Sequence, residues 1–215
     1  MREGTGEVGF GAHRLVRAQG VPVQIREDRL ERHSRVEETV DLVLGGLMPL
    51  TGLREIAEGR RPITRTAPSF VIEHETLIDG SAEETWAVLA DVARYPDWNP
   101  YILALEGRLE PGSSLRVTIA QANWPTPIIV EPTVVRAEIG RALHWRGRVG
   151  EGGLLDTDHV FEIHPLGPGR LRFRQFEEFR GTLAEQMDEE ARGFTREAFR
   201  AMNEALASRV YALDR

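Results

Sequence analysis

His159 and Glu177 are the two side chains of this sequence best suited to moving a proton. Each lies in a segment that reads as a strand, where successive side chains alternate between faces, so parity sorts wall from surface. In one segment Thr157, His159, Phe161 and Ile163 share a face, opposite Asp158, Glu162 and His164. In the next, Leu171, Phe173, Gln175, Glu177 and Phe179 share the apolar face, opposite Arg172, Arg174, Glu178 and Arg180. An earlier segment sets Leu143, Trp145 and Gly147 against His144, Arg146 and Arg148. The turns near 150–153 and 165–169 fix register only to within a residue or two. One register lays Trp145, His159 and Glu177 side by side; another pairs His159 with Gln175 and leaves Glu177 diagonal. In both, an imidazole and a carboxyl approach each other on a mostly apolar wall. Such a pair holds one tautomer and tunes a pKa, as general acid/base catalysis requires. It would serve equally as a satisfied buried contact that fixes strand register.

Other residues would line a pocket around that pair. Trp98, Asn99 and Tyr101 follow a short helix and would border it, although turn-forming neighbours fit a surface turn at least as well. Trp124 precedes Pro125 and Pro127 in a loop that would gate an entrance or plug it. Trp145, Phe161, Phe173, Gln175 and, on the last helix, Phe194 complete the expected lining. Arg116 would suit an anionic guest, but it shares parity with Ser114 and Thr118 and reads as solvated.

Several chemistries are excluded. The 215 residues contain no cysteine, which removes thiolate nucleophiles, disulfides and sulfur-bound metals. All 27 basic residues are arginine, so neither a Schiff-base lysine nor a phosphate-loop lysine exists. His144, His159 and His164 differ in parity and lack a compact ligand spacing, so no metal site is expected. Gly4-Thr5-Gly6-Glu7-Val8-Gly9 matches a dinucleotide fingerprint in letters only, since three residues cannot supply the preceding strand. No G-x-S-x-G serine occurs. A net charge of −7 argues against nucleic acid. No apolar run reaches the roughly 18 residues of a membrane span, and the first residues lack a secretory signal's apolar stretch, so a cytoplasmic protein is expected.

The elements that must position these residues begin near Phe70. Phe70 to Ile78 reads as a strand, and Ser81 with Glu84 forms a capping box for the helix that carries Trp86, Leu89 and Ala90. Asp97-Trp98-Asn99-Pro100 ends a second helical turn, because the residue before proline avoids the helical region. Segments 102–109, 114–120, 128–139, 142–149, 154–163 and 171–179 read as further strands joined by Gly- or Pro-containing turns. Residues 182 to 213 read as one long helix, with Gly193 a site for a kink. Before residue 70 the texture differs. Ser34 and Glu37 cap a helix with a Val36, Val40, Val43, Leu44 and Leu47 stripe, a shorter helix ends at Gly59, and a Pro-containing linker follows. This arm, residues 1–69, would pack on the main domain, cover a pocket as a lid, or join two copies.

The order strand, two helices, about six antiparallel strands and long helix resembles the helix-grip fold of the START-like (SRPBCC) superfamily. The resemblance spans residues 70 to about 212. It is carried by Trp86, Tyr95-Pro96-Asp97-Trp98-Asn99-Pro100, Pro111-Gly112, Leu143-x-Trp145-x-Gly147, His159-x-Phe161-x-Ile163 and Gln175-x-Glu177-x-Phe179-x-Gly181. It is nearest the bacterial polyketide cyclase/dehydratase-like subgroup. It implies an α+β fold: a bent antiparallel sheet of about seven strands wrapped around the C-terminal helix, with an apolar cavity between them, over residues 70–215. The expected function is binding of a hydrophobic, polyketide-like or cyclic small molecule. Its cyclisation or dehydration would be driven by His159 and Glu177 without a cofactor. The alternative is a carrier or sensor of a lipid or hydrophobic metabolite.

Overall fold

The computed structural model describes residues 68–149 and 154–213. The helices expected between residues 34 and 59, the linker after them and the arm's docking lie outside the described residues.

Strand β1 (Phe70–Asp79) leads into helix α1 (Ala82–Ala90) through the capping box read from the sequence. The Ser81 hydroxyl accepts from Glu84 N at 3.1 Å, and the Glu84 carboxylate accepts from Ser81 N at 2.7 Å. The α1 face turned to the core is Thr85, Val88 and Leu89, with Trp86 only half-buried. A 3-10 turn (Val92–Arg94) and the short helix α2 (Tyr95–Trp98) follow. The chain then turns inward rather than across the surface. Asn99 Oδ1 accepts from Tyr101 N at 2.9 Å and from Ile102 N at 2.8 Å. That side chain replaces water for two backbone donors. Asn99 and Tyr101 are therefore buried, each 4% exposed, which corrects the surface turn that composition suggests.

The strands are β2 (Ile102–Glu106), β3 (Arg116–Ile119), β4 (Ile128–Val130), β5 (Thr133–Glu138), β6 (Ala142–Val149), β7 (Leu155–Gly167) and β8 (Arg170–Arg180). The eight described strands form a five-stranded sheet, β1-β8-β7-β6-β5, and a three-stranded sheet, β2-β3-β4. Segment 128–139, expected as one strand, breaks between β4 and β5. Pro132 there has no N–H to donate to a ladder. The sheets remain joined by a Ser114–Thr133 bridge and by Leu115 N donating to Pro132 O at 2.8 Å. All pairings are antiparallel, and the register sets Trp145 opposite His159 and His159 opposite Glu177.

The C-terminal helix is two helices, α3 (Thr182–Gln186) and α4 (Glu189–Tyr211). Met187 is extended at the break (φ −64°, ψ 115°), and the Asp188 carboxylate then caps α4 by accepting from Ala191 N at 2.8 Å. Acidic Glu189 and Glu190 in the first turn favour that start. Helix α4 runs unbroken through Gly193, so the interruption lies upstream of the glycine. Ala191, Thr195, Phe199, Met202, Leu206 and Val210 form its buried stripe, and α4 packs chiefly on β1. Between helix and sheet lies a continuous core containing Tyr95, Leu143, Phe161, Leu171, Phe173 and Phe199.

Asn99→Ala should strand two buried backbone donors and lower stability by about 1–3 kcal/mol, an effect measurable as a lower denaturant midpoint at unchanged slope.

Candidate functional site

Strands β6, β7 and β8 bring Trp145, His159 and Glu177 into one row facing an internal cavity of about 100 Å³. Ile102, Val117, Ile119, Ile128 and Val130 from the smaller sheet give its apolar side, and Tyr101, Gln121, Thr157, His159, Glu177 and Thr195 supply the polar groups. Gln121 Nε2 donates to Thr195 Oγ1 at 3.3 Å, tying the loop after β3 to α4.

Glu177 is 8% exposed, and among the described residues no arginine pairs with it. Burial raises its pKa to about 7; a Thr157 hydrogen bond works against that rise, and the charge of Asp158 adds to it. Its carboxyl group therefore exchanges a proton close to neutral pH, where an ordinary carboxyl is already ionised. Thr157 reaches Glu177 because its cross-strand partner is a glycine. A Cβ on Gly147 would stand 2.8 Å from Thr157 Oγ1, closer than atoms tolerate.

His159 lies in an aromatic box. Its ring stacks on Phe161 at 4.5 Å and on Phe199 at 5.0 Å between centroids, with Trp145 edge-on at 5.4 Å. Burial, with a smaller contribution from His144, lowers its pKa to about 3, so the imidazole is neutral at physiological pH. His159 Nδ1 stands 3.6 Å from Glu177 Oε2. That separation exceeds a hydrogen bond. With the ring neutral, the contact is not an ion pair either. Tyr101, whose ring is 6.5 Å from that of His159, hydrogen-bonds Gln121. Burial first, then the nearby Glu177, keeps its phenol protonated well above the ordinary tyrosine range.

The opposite face of the sheet carries the cations. Asp158 Oδ1 faces His144 Nε2 at 2.6 Å and Arg146 Nε at 2.9 Å, and Asp158 Oδ2 accepts from Arg180 Nη1 at 2.6 Å. Burial pushes the Asp158 carboxyl upward, but these partners outweigh it and hold it far below the usual carboxylate range. Arg148, which borders the cavity, donates from Nε to Asp156 Oδ1 at 2.7 Å.

Of the residues expected from the sequence, Tyr101, Trp124, Trp145, His159 and Glu177 line the cavity. Phe161, Phe173 and Gln175 are fully buried outside its lining. Asn99 is committed to the turn, and Trp98 is half-buried against the Tyr95 ring at 5.1 Å. Phe194 is half-buried and does not line the cavity; Thr195, one residue on, does. Gln121, Thr157, Met187 and Thr195 line it without having been singled out from sequence. Thr157 shares parity with His159 and was open to that reading. Among the described residues no cluster of three or more histidine or acidic side chains could hold a metal, and no helix is long and apolar enough to cross a membrane.

Residues 69–211 match the model of the polyketide cyclase / dehydrase and lipid transport family. The chain belongs to that family. No curated protein matches its sequence. Among solved structures the chain is similar to the Zhui aromatase/cyclase of a Streptomyces species, at 18% identity over 68% of this chain and 96% of that one, with a TM-score of 0.55. A START superfamily protein from Mycobacterium smegmatis is similar at 19% identity, over 66% and 98% of the two chains, with a TM-score of 0.55. Truncated norcoclaurine synthase from Thalictrum flavum matches at 17% identity over 71% and 99%, with a TM-score of 0.52. At such identities the likeness establishes the START-like helix-grip fold alone; the family membership adds a fold suited to hydrophobic guests.

The two buried groups tilt stability in opposite directions with pH. Folded Glu177 keeps its proton up to about pH 7 instead of the ordinary 4.5, so stability falls as pH rises through that window. Folded His159 resists protonation down to about pH 3 instead of 6.5, so stability rises with pH up to about 6.5. Above that only the Glu177 loss continues. Glu177→Gln should therefore gain stability relative to the parent between pH 5 and pH 8, by a few kcal/mol at most at about 1.4 kcal/mol per tenfold in proton affinity. Thermal melts across that range would show a widening gap; a constant gap would mean Glu177 titrates normally.

Proposed function

We propose that the cavity binds an uncharged, largely apolar small molecule, polyketide-like or cyclic, and that Glu177 exchanges a proton with it in a cyclisation or dehydration. The observation that carries this reading is a buried carboxyl at the wall of an apolar cavity, with no cation beside it among the described residues and its pKa pushed up to about 7 by burial. A group that is half-protonated at working pH both donates and accepts efficiently. Tyr101 is held as a phenol, and the buried Trp124 Nε1 meets no acceptor among the described residues, so two further donors stand ready for a guest's oxygens. An uncharged guest is favoured because, among the described residues, the one arginine on the lining, Arg148, is engaged with Asp156. An anion would meet Glu177 without compensation. An apolar cavity of about 150 Å³ accommodates benzene and drug-sized guests occupy about 300–1,000 Å³, so the space as it stands suits one small ring and a larger guest must open it.

A carrier or sensor is the second reading. It is favoured by His159 having both ring nitrogens turned to protein groups, which leaves a single proton-exchanging side chain at the cavity. Native mass spectrometry of the purified protein should reveal a neutral aromatic or polycyclic guest. With that guest or its precursor, Glu177→Gln should cut turnover about 100-fold or more while binding stays within a few-fold. A change in affinity with no turnover to lose would favour the carrier, and a bound carboxylate would overturn the charge argument.

Cytoplasmic residence and pairing of two copies through residues 1–69 complete the proposal. The apolar stripe from Val36 to Leu47 needs a surface to bury against. Light scattering should show a smaller assembly once residues 1–69 are deleted; an unchanged mass would place that stripe on its own chain.

A further inference from the structure

We infer that Gln175 is a positioning residue that fixes His159 as its Nδ1–H tautomer, with that N–H directed at Glu177. Gln175 is fully buried, and its Nε2 stands 3.0 Å from His159 Nε2 and 3.6 Å from Met202 Sδ. An amide nitrogen only donates, so the 3.0 Å contact is a hydrogen bond only if His159 Nε2 presents a lone pair. The other amide orientation is less favourable. Among the described residues Gln175 Oε1 has no partner, so turning the amide over would move its two N–H donors to a place without an acceptor there and set the oxygen against the Met202 sulfur. A buried carbonyl lacking a partner is tolerated more readily than a buried N–H.

A neutral imidazole carries one proton, which then belongs on Nδ1, the nitrogen 3.6 Å from Glu177 Oε2. The rings of Phe161 and Phe199 stack on His159 and Trp145 meets it edge-on, packing that opposes a flip of the ring. Resting on the proposed role of Glu177, the consequence is a division of labour. The basic nitrogen of His159 is spent behind the cavity wall, so the imidazole does not take a proton from a guest. It offers its N–H to the Glu177 carboxylate once that group has given up its own proton.

The test is nitrogen NMR of the full-length, guest-free protein labelled at histidine, with His159 assigned from the signals lost in His159→Asn. At pH 7 the parent should show a pyrrole-type Nδ1 and a pyridine-type Nε2. Gln175→Met, which keeps the shape and removes the donor, should move the Nε2 signal toward the pyrrole type as the other tautomer becomes populated. A loss of stability in Gln175→Met would follow from burial alone, whereas the tautomer moves only if Gln175 sets it. A pyrrole-type Nε2 in the parent, or an unchanged tautomer in Gln175→Met, would overturn the inference. If the variant does not fold, the parent spectrum decides by itself. Guest binding is read separately, so a failed tautomer assignment leaves the ligand proposal standing, and an empty cavity leaves the tautomer measurable.

Discussion

A carboxyl group kept inside an apolar wall, with no counter-ion among the described residues, is the constraint around which this domain is arranged. Removing such a group from water is costly, and burial answers that cost by raising the carboxyl's proton affinity. The sheet is one residue thick, yet it separates charge sharply. Glu177 faces inward, while its neighbour Glu178 pairs with Arg180 on the outside; His159 faces inward, while Asp158 gathers Arg146, Arg180 and His144 outside. Strand alternation makes this sorting possible, and the register makes it local. A slip of one residue would bring the arginines against the cavity and expose the carboxyl.

The groups around Glu177 are consistent with that arrangement. Thr157 gives it a hydroxyl across the gap left by Gly147, and Tyr101 is brought inward by the Asn99 turn. His159 is neutral for the same reason that Glu177 holds its proton more tightly than an ordinary carboxyl: burial disfavours the charged form of each. What results is a polar corner in an apolar chamber, held by backbone pairing along three adjacent strands.

Much of this was legible from the residues. Alternation in 143–147, 157–163 and 171–179 identified the inward faces, and of the two registers left open by the turns the structure adopts the one with Trp145, His159 and Glu177 in a row. The capping box at Ser81 was equally plain. Two features were hidden, each for a local reason. Residues 182 to 213 read as one helix, but Met187 is extended and Asp188 restarts the helix, and the buried face of α4 passes through Thr195 and Phe199 while Phe194 stays half-buried. An aspartate followed by two glutamates was the signal for that restart. The burial of Asn99 and Tyr101 depended on an amide accepting two backbone hydrogens, which composition alone does not reveal.

Pro132 gives the domain a seam. Where an unbroken ladder would lock the small sheet rigidly to the large one, a single bridge and a few hydrogen bonds hold the two together. The two sheets on either side of that seam contribute Val130 and Trp145 to the lining of the same cavity. Along that margin fewer backbone bonds oppose separation of the two sheets than along the continuous β1-β8-β7-β6-β5 ladder.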